Sequence, residues 1–146
     1  MHNSKLGKLF EERFTQYLYA QGYWVTFLER NRRGQQPFDF IGAKDDKVIV
    51  GDCKTCKAKY ISIKRLEFDQ IASFEKYLKR GNSNCIIAVE HNNNIYKVDY
   101  AKLKDLEKIY FTDTENCILL DVRNIEKDGE NKWHKNLWRK KLLVKS

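Results

Sequence analysis

Two short apolar runs that carry charged residues decide the fold of this chain: Pro37-Phe38-Asp39-Phe40-Ile41-Gly42 and Val48-Ile49-Val50-Gly51-Asp52-Cys53-Lys54. Between them stands Lys44-Asp45-Asp46, a polar stretch of the kind that makes tight turns. We therefore predict two consecutive strands, over residues 38–43 and 47–54, that pair as a hairpin.

The charged residues of this hairpin predict a cation site. Side chains alternate along a strand, so Asp52 and Lys54 share one face while Cys53 points to the other. Asp39 begins the first strand, and the hairpin brings its carboxylate beside Asp52. Two converging carboxylates suit Mg²⁺, which takes its other ligands from water and phosphate oxygens. Lys54 can then orient a water or stabilise charge on phosphorus, so the pattern favours phosphodiester hydrolysis. The alternative is a solvated strand end, because Asp-x-Lys also occurs by chance.

A third carboxylate is expected from an amphipathic helix over residues 5–21, which ends before Gly22. At 100° per residue its apolar face centres near Phe10 and Tyr17. Glu11 falls on the flank of that face and Glu12 on the opposite, solvent-facing side. Glu11 is therefore the candidate for a cleft, and Glu12 is an ordinary surface charge.

The rest of the chain predicts further strands and helices in a non-alternating order. Strands are expected over residues 23–28, 85–90, 95–98 and 118–122, a second helix over 65–80 and a short helix from Asp99 through Leu106. This order is typical of an α/β sandwich and not of a βαβ nucleotide-binding fold. Gly-x-Gly-x-x-Gly and Walker A motifs are absent from the sequence, so no nucleotide cofactor is expected.

Composition limits the class of protein. The 146 residues suffice for one domain, and no linker or repeat divides them. The 28 Lys and Arg against 20 Asp and Glu leave a net charge of +8, which favours a polyanionic partner such as DNA. No apolar run is long enough for a membrane span and the N-terminus lacks a signal-peptide core, so we expect a cytoplasmic protein with reduced cysteines and no membrane partner.

Several of these residues together resemble a known family. Gly7-Lys8-Leu9-Phe10-Glu11-Glu12-Arg13-Phe14, Asp39, Asp52-Cys53-Lys54 and Phe68-Asp69-Gln70-Ile71 are similar to the PD-(D/E)XK nuclease superfamily, and within it to the RecU-type Holliday-junction resolvases. The similarity covers roughly residues 5 to 107. It departs from the family where Phe38 separates Pro37 from Asp39, and where Asp52 replaces the commoner Glu.

The resemblance implies a fold and an activity. The fold would be a restriction-endonuclease-like α/β core, a central mixed sheet flanked by helices, forming a single nuclease domain over residues 1–146. The activity would be Mg²⁺-dependent cleavage of branched DNA by a homodimer, with Mn²⁺ as a substitute metal. Glu11, Asp39 and Asp52 would hold the metal, and Lys54 would serve the attacking water.

Other cations and amides are candidates for DNA contact. They are Arg30, Arg32, Arg33 and Gln35 in the loop before Asp39, together with Lys57 and Gln70. Phosphate contacts from such residues are salt-dependent and largely independent of base sequence. The alternative for each is an ordinary polar surface position, and for Gln70 that alternative is at least as good.

The C-terminal segment, residues 132–146, interleaves Trp133 and Trp138 with basic residues. It can stack bases and hold phosphates, but a helix that buries its aromatic side chains explains the composition better. Cys53 and Cys56 have zinc-like spacing without a second close pair, so structural zinc is not expected.

The sequence is also compatible with two other functions. One is a nuclease that is unspecific for DNA structure or only nicks DNA, since the segment between Tyr23 and Asp39 is shorter than the stalk-bearing region of RecU-type enzymes. The other is a catalytically inactive DNA-binding module of the same fold. The presence of Asp39, Asp52 and Lys54 disfavours the latter, because carboxylates repel approaching phosphates.

Overall fold

The computed structural model of the chain describes residues 2–28 and 37–123. The helices in these ranges are α1 (His2–Ala20), α2 (Phe68–Lys79) and α3 (Tyr100–Leu106). The strands are β1 (Trp24–Phe27), β2 (Phe40–Lys44), β3 (Lys47–Thr55), β4 (Tyr60–Ser62), β5 (Cys85–His91), β6 (Asn94–Asp99), β7 (Lys108–Tyr110) and β8 (Cys117–Leu119).

Six strands form a mixed sheet in the order β1-β2-β3-β5-β6-β8. β3 and β5 are parallel, and every other neighbouring pair is antiparallel. Asp45 and Asp46 make the β2–β3 turn with positive φ angles of 50° and 65°, which Asp tolerates better than most residues. The predicted hairpin is therefore present, and β3 lies in the middle of the sheet.

Helix α1 covers one face of the sheet. Its buried side chains Phe10, Phe14 and Leu18 pack against a cluster that includes Phe40 and Ala88. Phe14 and Phe40 meet edge to face with ring centroids 5.1 Å apart. The helical spacing of these apolar residues thus serves the core, as the sequence predicts.

Helices α2 and α3 cover the opposite face. Phe74 of α2 and Tyr100 of α3 are fully buried and stack with ring centroids 4.6 Å apart. They pack with Val50, Ile87 and other strand residues in a second cluster. The architecture is the predicted α/β fold, a central mixed sheet flanked by helices.

Gly51 is required by the close packing of the central strands. A Cβ at this position would lie 2.3 Å from the carbonyl oxygen of Ile86 and 2.7 Å from the ring of Phe40. Because backbone cannot move aside as a flexible side chain can, only glycine fits here. Close packing against β5 therefore requires glycine at the position before Asp52.

Two short strands were not predicted. β4 pairs with β7 in a separate antiparallel ribbon, which we call the β4–β7 ribbon. A 3₁₀ turn at Ile63–Arg65 follows β4, so α2 begins at Phe68 and not at the predicted residue 65. Three-residue strands carry too little alternation to be read from sequence, and Leu66 is buried without being helical.

Some of the predicted features lie outside the residues that the structure describes. Residues 29–36 and 124–146 are not among those the structure describes, so the basic loop before Asp39 and the segment 132–146 remain as predicted from the sequence. The assignment of residues 1–146 to one domain likewise stays a prediction. Within residues 2–28 and 37–123, no helix is long and apolar enough to cross a membrane.

Candidate active site

Asp39 lies directly before β2, at the point where β2 and β3 separate. Its backbone N–H donates to the carbonyl of Gly51 (2.8 Å), and its carboxylate Oδ2 accepts from the N–H of Cys53 (2.8 Å). The strand was predicted to include Asp39, but β2 begins one residue later. The carboxylate is thereby held between the two strands, next to the residues that follow Gly51.

Asp52 is fully buried in the middle of β3. Burial, followed by a hydrogen bond with Asp39 and the charge of Asp39, raises the pKa of its carboxyl from 3.8 to about 8. The charge of Lys54 opposes this rise. The two acids therefore share one site in which their negative charges repel each other.

Lys54 and Gln70 complete a contact network around Asp52. The Lys54 ammonium lies 2.9 Å from Asp52 Oδ2, and Gln70 Nε2 donates to Asp52 Oδ1 (2.8 Å). Lys54 Nζ also donates to Gln70 Oε1 (3.2 Å). That same oxygen accepts from the backbone N–H of Glu67 at 3.0 Å, which ties the network to the start of α2. Gln70 is thus placed to hold both the acid and the lysine.

Glu11 reaches the site from the other face of the sheet. It is half-buried on α1, and its pKa is raised first by burial and then by the charge of Asp39, while Lys8 lowers it. Glu12 is exposed, in keeping with its position on the helical wheel. Glu11 therefore lies within electrostatic reach of Asp39, whereas Glu12 is on the surface.

The pKa of the Cys53 thiol is affected by the negative charges of this region. Its pKa is raised well above 9.0 by burial and then by the charges of Asp39, Asp52 and Glu11. Cys53 packs against the α1 cluster, whereas Asp52 and Lys54 contact α2. The charge of Glu11 therefore acts on this region from the α1 side, and Asp52 lies on the α2 side.

The donor set fits a hard divalent cation through two carboxylates. Asp52 Oδ2 is buried and has the Lys54 ammonium as an ion-pair partner but no hydrogen-bond donor, so it has electron pairs available for a cation. In the described ranges, no three His, Cys, Asp or Glu side chains form a ready metal cluster. Asp39 and Asp52 match Mg²⁺, which binds through one or two carboxylates, water and substrate phosphate.

The remaining sequence candidates are distributed differently. Lys57 is exposed in the segment after β3. Arg30, Arg32, Arg33 and Gln35 lie outside the residues that the structure describes. Among the described candidates, the structure brings together Asp39, Asp52, Lys54 and Gln70 most closely.

Sequence reasoning missed one residue that positions α1. Arg13 Nη1 pairs with Glu90 Oε2 at 3.0 Å, and Arg13 Nη2 donates to the carbonyl of Asn93 (2.8 Å). Glu90 is the β5 register partner of Thr55, the neighbour of Lys54. Arg13 therefore fixes α1, and with it Glu11, relative to the end of β3. No sequence signal links Arg13 to an acid 77 positions away.

Comparisons with known proteins identify a family and a similar fold. The model of the RecU family, described as Recombination protein U, matches residues 28–142. A solved structure of Archaeoglobus fulgidus Hjc, described as a Holliday junction resolvase from an archaeal hyperthermophile, superposes with a TM-score of 0.57 at 15% sequence identity. The superposition covers 80% of this chain and 94% of Hjc. A search of curated proteins gave no match.

Fold and family together define the class of protein. The α/β core with its mixed six-stranded sheet is that of the restriction-endonuclease-like nucleases. The chain belongs to the RecU family and is an endonuclease. The matched range contains Asp39, Asp52, Lys54 and Gln70 but not Glu11.

Proposed function

We propose that this RecU-family protein is a Mg²⁺-dependent endodeoxyribonuclease that resolves Holliday junctions or related branched DNA. The observation that carries the proposal is the convergence of Asp39, Asp52 and Lys54 where β2 and β3 separate, on the fold of a junction resolvase. A binding module gains nothing from two repelling carboxylates at a DNA surface, because they oppose the approach of phosphates.

Asp39 and Asp52 would hold the metal, and Glu11 would complete its surroundings from α1. When bound, the metal polarises the scissile phosphate and makes water a better nucleophile. The cation also removes the repulsion that raises the pKa of Asp52. Mn²⁺ would serve as a substitute because it accepts the same oxygen ligands.

Lys54 supplies the positive charge of the site. Its side chain is 14% exposed and its ammonium lies 2.9 Å from Asp52 Oδ2, so it is placed to meet a phosphate that approaches the carboxylates. From there it can orient the attacking water and stabilise charge developing on the phosphate oxygens. Gln70 acts through Lys54 and Asp52 by fixing both side chains, and is therefore a positioning residue.

The substrate preference rests on the relatives and on charge. The family is described as a recombination protein and Hjc as a Holliday junction resolvase, and the net charge of +8 suits a DNA polyanion. Cutting a junction symmetrically requires two active sites, so we propose a homodimer. Arg30, Arg32, Arg33, Gln35 and Lys57 are proposed to contact the phosphate backbone.

The proposal is tested with purified protein on an end-labelled four-way junction, a linear duplex and a single strand, each with Mg²⁺ or EDTA. We expect paired nicks in the junction that disappear in EDTA. The Asp39→Asn variant, purified in parallel, excludes a contaminating nuclease. Cutting of all three substrates would instead indicate an unspecific nuclease, and tight binding without cutting in Mg²⁺ or Mn²⁺ would indicate a binding module.

A matched pair of substitutions tests the role of Glu11. Glu11→Gln is expected to lower kcat on the junction by about 10- to 100-fold, because one charged group near the metal is lost. Glu12→Gln makes the same chemical change one residue further, on an exposed position, and should leave kcat within about twofold. Steady-state cleavage across a Mg²⁺ titration gives both kcat and the metal requirement. Equal effects of the two variants on kcat would mean that Glu11 is not part of the active site.

A further inference from the structure

A cavity lies on the α2 side of the sheet, at the end of β5. Its volume is ≈ 250 Å³, and it opens between the β5–β6 turn and the β4–β7 ribbon. We call it the His91 pocket; it is lined by Lys59, His91, Asn92, Asn94, Tyr96, Tyr110, Phe111 and Thr112. It contains none of the residues assigned to the candidate active site.

The chemistry of this lining is aromatic, amide and cationic. Four rings and two Asn side chains line the pocket with Lys59, and no Asp or Glu is among the lining residues. His91 stacks on Phe111 with ring centroids 4.3 Å apart, and Tyr96 packs on the same ring at 4.9 Å. Such a lining suits a flat aromatic group with polar edges, attached to an anion.

Tyr110 is the ring most available to a ligand. Its side chain is 45% exposed although it packs on Tyr60 with ring centroids 5.3 Å apart. The ammonium of Lys108 lies 4.5 Å from the centroid of the Tyr60 ring and 5.9 Å from that of Tyr110. The ribbon therefore packs one side of the Tyr110 ring and places the Lys108 ammonium near it.

The pocket continues from the candidate active site along the same strands. Lys54 is in register with Val89, and His91 is two residues further on β5, about 7 Å along the strand. His91 Nδ1 also lies 2.9 Å from the carbonyl oxygen of Cys56, two residues after Lys54. The separation of about 7 Å between the levels of Lys54 and His91 corresponds to about two nucleotide steps of a DNA strand.

Positive charge connects the two sites. Residues 54–65 contain Lys54, Lys57, Lys59, Lys64 and Arg65 and no acid. All except Lys54 are exposed, and Lys59 lines the pocket itself. A DNA strand whose phosphate lies at Lys54 can therefore follow this stretch to the pocket, because each step offers a cation to the backbone.

We propose that the His91 pocket takes one unstacked nucleobase of the DNA strand that passes Lys54. The base stacks on Tyr110, its edge meets the amides of Asn92 and Asn94, and Lys59 pairs with its phosphate. The volume is below that of pockets for drug-sized ligands, roughly 300 to 1,000 Å³, and suits a single planar ring system. This inference rests on the proposed function.

The pocket favours branched over linear DNA. A base enters it only after leaving its stack, which costs least where the duplex is already interrupted. The stacking of bases is interrupted at a branch point, whereas it is unbroken in a continuous duplex. The pocket therefore supplies a preference for junctions without reading a long sequence.

The test uses DNA carrying 5-iodouracil at single positions within a few nucleotides of the branch, irradiated with the full-length protein in EDTA. Iodouracil couples to an aromatic ring that stacks on it. The expected crosslink is in the tryptic peptide 109–123, which contains Tyr110.

Kinetics in Mg²⁺ test the same pocket. Tyr110→Ala should lower kcat/KM on the junction about tenfold and on linear duplex less than twofold. Tyr110→Phe should retain the wild-type ratio.

Matched controls come from the far end of the same sheet. Trp24→Ala removes an aromatic ring that is 53% exposed at the start of β1, and Lys47→Ala removes an exposed cation at the start of β3. Neither should change the ratio of junction to duplex cleavage. A Tyr110→Ala ratio equal to wild type, no crosslink in 109–123, or a change of oligomeric state in Tyr110→Ala would overturn the inference. Wild-type protein that cleaves no DNA would refute the proposed function instead, and crosslinking would still test the pocket.

Discussion

Lys54→Gln is expected to lower kcat for DNA cleavage by about 1,000-fold while DNA affinity changes less than about threefold. Glutamine keeps a side-chain N–H donor for Gln70 Oε1, which accepts a hydrogen bond from Lys54 in the wild type. It cannot supply a positive charge to the phosphate in the transition state. Steady-state cleavage measures kcat, and fluorescence anisotropy in EDTA measures affinity.

The control for this variant is Lys57→Gln. Lys57 follows Lys54 by three residues but is exposed and is not part of the contact network around Asp52. Its loss should weaken DNA binding about two- to threefold, mostly at low salt, and leave kcat unchanged. If Lys54→Gln instead lost affinity and kept kcat, Lys54 would be one more phosphate contact and not part of the chemistry.

The central hairpin could be predicted from sequence because its signals are local. Alternation along residues 48–54 and the turn at Asp45 and Asp46 predict β2, β3 and the side chains that share a face. Helical spacing in α1 likewise distinguishes Glu11 from Glu12 by a simple wheel. These features depend on residues within one or two turns of each other.

Features that depend on distant pairing could not be predicted. Gln70 is polar on a helix and gives no sign that it contacts Asp52, because that contact requires the crossover from β3 through β4 to α2. The β4–β7 ribbon joins Tyr60 to Tyr110, fifty positions apart, and the His91 pocket forms only once both strands are in place. In a chain this basic, Lys59 looks like an ordinary surface residue until the fold places it in the lining of that pocket.

Asp39→Asn is expected to reduce cleavage at least about 1,000-fold, since it removes a proposed ligand and several kcal/mol of metal-supplied stabilisation. Asparagine keeps the acceptor for the Cys53 amide, so the local backbone has no reason to change. Mg²⁺ should raise the Tm of the wild type, because binding to the folded state stabilises it, and should leave the variant nearly unaffected. Thermal melts with increasing Mg²⁺ measure this difference without any substrate.

The same substitution should stabilise the metal-free protein. The pKa of Asp52 rises from 3.8 to about 8 on folding, so between these values the folded state binds more protons than the unfolded state. Wild-type stability in EDTA therefore falls as pH rises through that window. Asp39→Asn removes one cause of the raised pKa, so its Tm should match the wild type near pH 5 and exceed it by about 3 °C near pH 8, equivalent to about 1 kcal/mol.

The pH dependence separates charge repulsion from packing at this site. A variant that is less stable than the wild type at every pH would mean that Asp39 is retained for its bond to Cys53 and not for a cation. A gain that grows with pH in EDTA and disappears in Mg²⁺ would mean that the two carboxylates repel each other until a cation joins them. The second pattern is the one expected of a metal site, because the unfavourable pairing of Asp39 with Asp52 then has a function that folding alone does not give it.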